Sequence, residues 1–285
     1  MSTLNVDGIS LYYSVKGEGI PLVFIHPPVL TSTNFEYQVE ELSSHFQVIT
    51  FDIRGHGKSQ YSNKPITFTL IVEDIKRLLD HLEVEKAFIC GYSTGGSIVL
   101  EFLRTSPEHA LGGIVIGGYS DVNDMYLRQK ISLGIKLAKV DAISLLAWSM
   151  SKTNSNTQKL FKKLFTEARK GDARNIEQYF RYSLHYNCTD QLGNIDHPIM
   201  LVYGEKDKPF HRYAKQLHEK LPLNELKFIE KVNHRIPTKA ANKSIFINFT
   251  GDDITISHLL LFEYRNCPTA SRLRPTVINL RFLEI

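Results

Sequence analysis

Cysteine is scarce in this chain: three residues in 285, namely Cys90, Cys188 and Cys267. An odd number, widely spaced and without a C-x-x-C pair, excludes a disulfide framework and a cysteine metal site, and fits a reducing compartment. Long apolar runs are missing as well. No stretch approaches the ~20 residues that span a bilayer, so no membrane partner is expected. The N-terminal Met1-Ser-Thr-Leu-Asn-Val-Asp-Gly8 has neither a basic region nor an apolar one, so no secretory leader is expected and the protein reads as cytoplasmic. Strong net charge is absent too: the balance is only +4, with lysine and arginine scattered. The densest basic patch, Lys159, Lys162, Lys163, Arg169 and Lys170, has helical spacing beside acidic residues and reads as a solvated helix face, so no nucleic-acid partner is expected. The histidines show no H-E-x-x-H or other metal spacing, and no internal repeat is visible. At this length the core is ample without a disulfide or a metal.

What is present is a rhythm of strands and helices. Thr3–Val6 and Ile9–Val15 alternate in polarity around Asp7-Gly8, a hairpin turn signal. Pro21–Ile25 is a short apolar run of the kind buried on both sheet faces. A helix is expected over Asn34–His45, a strand over Phe46–Phe51, and a helix over Leu70–Leu82, whose apolar residues form one stripe. Strands at Lys86–Cys90 and Leu111–Ile116 enclose a helix at Gly95–Arg104. Strands alternating with helices argue for an α/β fold, a parallel sheet with helices on both faces.

From about Asp121 to Asp190 no strand candidate occurs. Met125–Lys139, Asp141–Ser149, Asn156–Lys170 and Ala173–His185 read as helices, an inserted helical segment of about seventy residues. The sheet resumes at Pro198–Tyr203, with a helix near Arg212–Leu221, a strand at Glu225–Ile229 and a helix over Thr238–Phe249. The division expected is a core of residues 1–120 and 191–250, a helical insertion at 121–190, and an atypical tail at 251–285. The tail is set apart by composition: all 21 lysines precede it, and it has four arginines.

Gly91-Tyr92-Ser93-Thr94-Gly95 matches G-x-S-x-G between a strand and a helix. The turn there is so tight that the residues two before and two after the serine must lack bulk. The serine is strained with its hydroxyl exposed, and the helix N-terminus favours developing negative charge. A serine hydroxyl needs a base, and the base needs an orienting acid. The expected chain order is Ser, Asp or Glu, then His. Asp207, in Gly204-Glu-Lys-Asp207, and His234, in Val232-Asn-His234, each follow a strand and so fall at the carboxyl edge of the sheet beside Ser93. Asp121 is a rival acid, and Glu205 a weaker one.

These motifs, with His26-Pro27-Pro28 and Phe51-Asp-Ile-Arg-Gly-His-Gly-Lys-Ser59, resemble those of α/β-hydrolases of the single-domain, helical-cap type, from about Asn5 to Phe249. The resemblance implies an eight-stranded, mostly parallel sheet, a cap over the pocket, no cofactor, and the roles Ser93 nucleophile, Asp207 acid and His234 base. It also implies that Arg54 and His56 tie loops together. Many relatives place a residue with a backbone N–H where this chain has Pro28, which has none. The oxyanion donors expected are therefore the N–H of Thr94 and that of Val29; the alternatives for the second are the hydroxyl of Thr31 or Ser32, or no second donor at all.

The expected activity is hydrolysis of a small, partly apolar carboxylic ester, lactone or thioester through an acyl-enzyme. The alternatives are other chemistry on the same three residues (C–C hydrolysis, cofactor-free haloperoxidation, acyl transfer) or a slow-turnover ligand sensor. His26, Tyr92 and Trp148 are candidate substrate-binding residues, although His26 also reads as ordering its own loop. Leu145, Trp148, Phe161 and Tyr179 either line an apolar pocket or simply pack the cap.

Overall fold

Asp7 and Gly8 both take positive φ, 53° and 82°. That is the backbone a two-residue hairpin requires, and it joins β1 (Ser2–Val6) to β2 (Ile9–Lys16). The computed structural model describes residues 2–240. Then follow β3 (Ile20–Ile25), α1 (Glu36–Leu42), β4 (Phe46–Phe51), α2 (Phe68–His81), β5 (Ala87–Tyr92), α3 (Thr94–Thr105) and β6 (Ala110–Ile116). Four helices intervene: α4 (Met125–Lys139), α5 (Ile143–Thr153), α6 (Gln158–Ala168) and α7 (Ala173–His185). The sheet closes with β7 (Ile199–Gly204), α8 (His211–Lys220), β8 (Asn224–Ile229) and a short α9 (Ile236–Lys239). The remainder of the helix expected over Thr238–Phe249, and the tail from 251, lie outside the described residues.

The eight strands form one sheet in the order β1-β2-β4-β3-β5-β6-β7-β8. The β1–β2 and β2–β4 pairs are antiparallel and all the others parallel. This is the eight-stranded, mostly parallel α/β architecture expected. Side chains alternate across it. Leu22, Phe24, Phe88 and Ile114 face one side with Leu42 of α1 and Ile236 of α9. Val23, Ile25, Ile89 and Val115 face the other with Ile75 of α2, Ile98 of α3 and Leu217 of α8. Each of these central strands is buried on both faces, which is why it reads as a continuous apolar run rather than an alternating one.

Capping side chains move several helix starts from their expected positions. Thr67 accepts from Leu70 N at 3.0 Å, so α2 begins at Phe68. Thr157 accepts from Leu160 N at 3.1 Å, so α6 begins at Gln158. Asp141 takes φ 55°, which stops α4 and delays α5 to Ile143. The helix expected over Asn34–His45 is split: Thr31 caps a tight turn over Ser32–Phe35, and only Glu36–Leu42 is α-helical.

The α4–α7 insertion is seated on loops at the carboxyl edge of the sheet. Asp172 N donates to Gly55 O at 2.8 Å, and the Asn175 amide bonds Ser62 N and Ser62 O at 2.8 and 2.9 Å. Tyr179 donates its hydroxyl to His26 O at 2.9 Å. Beneath it, the fully buried Arg54 grips Asp74 of α2 through Nε and Nη2, both at 2.6 Å. Removing one partner of such a pair costs about 3–5 kcal/mol, because the other charge stays buried and unpaired. Among the described residues no helix is long and apolar enough to cross a membrane.

Candidate active site

Ser93 stands between β5 and α3 with φ 54° and ψ −120°, a conformation that costs about 1–3 kcal/mol and persists only where the surroundings enforce it. Two features enforce it here. Ser93 N donates to Ile116 O at 2.7 Å, pinning the turn to the neighbouring strand. The turn is also crowded as its glycines predict: a Cβ at Gly91 would run into Gly95 O, and a Cβ at Gly95 would run into Ile25 O. The serine is left half-buried at the carboxyl edge.

His234 follows β8 and Asp207 follows β7. Their loops are stitched together by Glu205 N to Ile229 O at 3.0 Å and Lys206 N to Val232 O at 2.8 Å. The imidazole spans the gap. Its Nε2 lies 3.0 Å from Ser93 Oγ, and its Nδ1 lies 2.7 Å from Asp207 Oδ2. A carboxylate accepts only, so Nδ1 carries the proton and Nε2 is free to accept from the serine. A hydroxyl bonded to an imidazole whose far nitrogen faces a buried carboxylate can lose its proton as it attacks. The rival acids lie elsewhere. Asp121 accepts from Asn123 and Gln216, at 3.2 and 3.0 Å, and Glu205 accepts from Lys231 N at 2.7 Å.

Three groups surround the imidazole, and of these only Tyr92 belongs to a motif quoted above. Gly117, at φ 57°, lies directly against the ring. Phe210 packs on it with ring centroids 4.0 Å apart, and Tyr92 lies 5.4 Å away on the same measure. Gly117 follows β6 as Gly-Gly118, which is a local signal, whereas nothing near Phe210 marks it as a neighbour of residue 234.

Thr94 is the first residue of α3, so its N–H has no intrahelical acceptor. Its hydroxyl pairs with that of the buried Tyr119 at 2.9 Å, and burial pushes the Tyr119 phenol up to about 12. Val29 takes φ 73°, a left-handed backbone that a β-branched residue rarely adopts. Its side chain is fully buried in a cluster with Ala138, Ile143, Leu146 and Ala147 of the insertion. The Thr31 hydroxyl accepts from Thr33 N at 3.3 Å, which draws it into its own turn, and Ser32 N donates to Asp52 at 2.8 Å.

The three candidate substrate-binding residues fall in different surroundings. His26 is fully buried; Nδ1 donates to Pro27 O at 3.0 Å and Nε2 accepts from Ile53 N at 2.9 Å, so the ring orders its loop and has no nitrogen left for a ligand. Burial lowers its pKa to about 4, and that of the adjacent His56 to about 3, so both are neutral. Tyr92 packs in the core beneath the histidine loop and donates to Asn154 Oδ1 at 3.1 Å, joining the serine strand to the end of α5. Trp148 is half exposed on α5, away from the buried Ile143, Leu146 and Ala147. Leu145 is likewise exposed, and Tyr179 is buried as a packing residue.

A polar surface groove of about 760 Å³ runs between Tyr61 and α7, but its walls are self-paired, Arg174 with Asp172 and Arg181 with Glu177, and hold none of Ser93, Asp207 or His234. Among the described residues no cluster of three or more His, Cys, Asp or Glu is placed to hold a metal ion.

Comparison with known proteins adds the relatives. Residues 20–237 match a family model described as the alpha/beta hydrolase fold. The chain is 25% identical over 234 residues to the AB hydrolase superfamily protein YisY of Bacillus subtilis, covering 77% of this chain and 87% of that one. It is 24% identical over 258 residues to a non-heme chloroperoxidase of Streptomyces lividans, covering 80% of this chain and 90% of that one. Among solved structures, an esterase from Exiguobacterium antarcticum superposes with a TM-score of 0.75 at 22% identity, covering 84% of this chain and 93% of that one.

Proposed function

This chain belongs to the α/β-hydrolase fold family, and from that premise we propose that it is a serine hydrolase of a small, partly apolar carboxylic ester, lactone or thioester. The observation that carries the reading is the unbroken relay from Ser93 Oγ to His234 Nε2, at 3.0 Å, and from His234 Nδ1 to Asp207, at 2.7 Å. Ser93 Oγ attacks the acyl carbon as its proton passes to Nε2 of His234. Asp207 stabilises the imidazolium that results. The tetrahedral oxyanion is met by the N–H groups of Thr94 and Val29, which are fixed before the charge appears. Collapse breaks the bond to the leaving alcohol or thiol, which takes the proton from His234. A water then gives its proton to Nε2, attacks the acyl-enzyme, and releases the acid with Ser93 restored.

No cofactor enters this cycle. The buried free thiols of Cys90 and Cys188 suit a cytoplasmic protein. The likeness to a chloroperoxidase favours one second reading, in which a nucleophile other than water attacks the acyl-enzyme, takes the acyl group and releases Ser93. A fluorophosphonate probe followed by an ester panel tests the proposal. Labelling of wild type but not of Ser93→Ala, with turnover beyond the first burst, is the expected result. Equal labelling of both removes Ser93 from the mechanism, and a stoichiometric burst without further turnover favours a ligand sensor.

A further inference from the structure

The helices α4 and α5 each carry exposed apolar side chains away from their buried residues. On α4 the buried stripe is Leu127, Ile131, Gly134 and Ala138. Tyr126, Leu133 and Val140 follow one another at seven-residue spacing on the far side, and residues seven apart stay nearly in line on a helix. All three are exposed among the described residues, Val140 at 72%. On α5 the buried residues are Ile143, Leu146 and Ala147, and Leu145, Trp148 and Lys152 lie opposite them, with Leu145 and Trp148 at 54% and 50% exposure. Lysines are interleaved with these groups: Lys130, whose ammonium lies over Tyr126, then Lys136, Lys139 and Lys152. Within α4 and α5 themselves, residues 125–139 and 143–153, there are five lysines and arginines and no acidic residue.

We propose that this face docks on a lipid bilayer carrying anionic headgroups. The exposed apolar side chains stand separately among lysines, and a fluid headgroup layer conforms to such a surface. Leucine, valine and tryptophan enter the boundary between headgroup and acyl chain, and lysines lie along it with their ammonium groups among the phosphates. A tryptophan is favoured at that depth because its ring is apolar and its N–H polar. Charge decides the kind of lipid: the exposed Lys130, Lys136, Lys139 and Lys152 fit an anionic leaflet and gain little from a zwitterionic one. The absence of long apolar runs excludes crossing a bilayer; lying on one needs only an amphipathic face. The proposal is independent of the Ser93 chemistry.

Trp148 is the single tryptophan of the chain, so its emission reports this face directly. The full chain is mixed with vesicles of phosphatidylcholine, alone or with phosphatidylglycerol, and followed by emission and co-sedimentation. The expected result is a blue shift and co-sedimentation with the anionic vesicles only, weakened by salt. Replacing Lys130, Lys136, Lys139 and Lys152 by Gln weakens binding by about fivefold per lysine. Val140→Ser with Leu145→Ser, at exposed positions, suppresses the blue shift without altering the far-UV spectrum. Equal binding to both vesicle types, or binding unchanged in the lysine variant, overturns the proposal. So does a chain that ignores anionic vesicles, which would leave the face to an acidic protein.

Discussion

A Cβ at Gly117 would lie 2.9 Å from Cε1 and 3.0 Å from Nδ1 of His234. The end of β6 thus forms the floor on which the imidazole rests. Gly117→Ala must displace the ring and also strains a backbone at φ 57°. Misplacing a reacting group by about 1 Å costs on the order of 10²-fold in rate. A fall of that order in kcat, with an unchanged fluorescence spectrum, is expected. Full activity in this variant would show that the ring is not held from below.

Asp207 and Asp121 differ in what they face. Asp207→Asn leaves the carbonyl and amide in place of the carboxylate beside His234 Nδ1, so the imidazolium loses its counter-charge and its tautomer. A loss in kcat on the order of 10⁴-fold is expected. Asp121→Asn, which disturbs only bonds to Asn123 and Gln216, should leave kcat near wild type. The reverse ranking would reassign the acid.

Pro28 has no N–H, and the left-handed turn at Val29 carries the chain past it. With Val29 as the second donor, Pro28→Gly adds a donor at the wrong place and loosens the loop. The expected kcat on p-nitrophenyl acetate is unchanged or lower, and Thr31→Val should match wild type. A missing donor is worth roughly a hundredfold to a thousandfold. A gain of about tenfold or more in Pro28→Gly, a sizeable part of that range, would therefore show that the wild-type site lacks its second donor.

His26 and His56 face each other in the core with ring centroids 5.2 Å apart, and each binds its proton less readily folded than unfolded. Between about pH 6.5 and pH 4 the unfolded chain takes up protons that the folded chain refuses, so acid favours unfolding. The stability they contribute is complete above about pH 6.5 and is lost as pH falls, by about 1 kcal/mol per unit for each histidine. Urea midpoints across that range should show the slope, and His56→Asn should remove about half of it. An identical slope in the variant would place the titration elsewhere.

What can be read from the sequence follows the range of the forces involved. The run Gly91–Gly95 defines its turn by its own crowding, and Met125–Lys139 and Ala173–His185 match their helices because stripe and cap are local. Strand position alone does not separate Asp207 from Asp121, since both follow sheet strands; the resemblance favours Asp207, and the packing of the two loops brings it to His234. Trp148 reads as facing the substrate, but an aromatic on an amphipathic helix can face either way until the helix is docked. The bend at Val29 leaves no trace, because a valine in left-handed backbone is held there by contacts with residues more than a hundred positions away.

That bend ties two properties that are usually considered apart. The backbone of position 29 belongs to the loop that follows β3, while its side chain is buried among the inserted helices. Exchanging the insertion for a relative's would remove the atoms that hold the bend. With the Val29 N–H as the proposed donor, selectivity and rate are inherited together, and a graft that keeps one has to rebuild the socket for Val29 to keep the other.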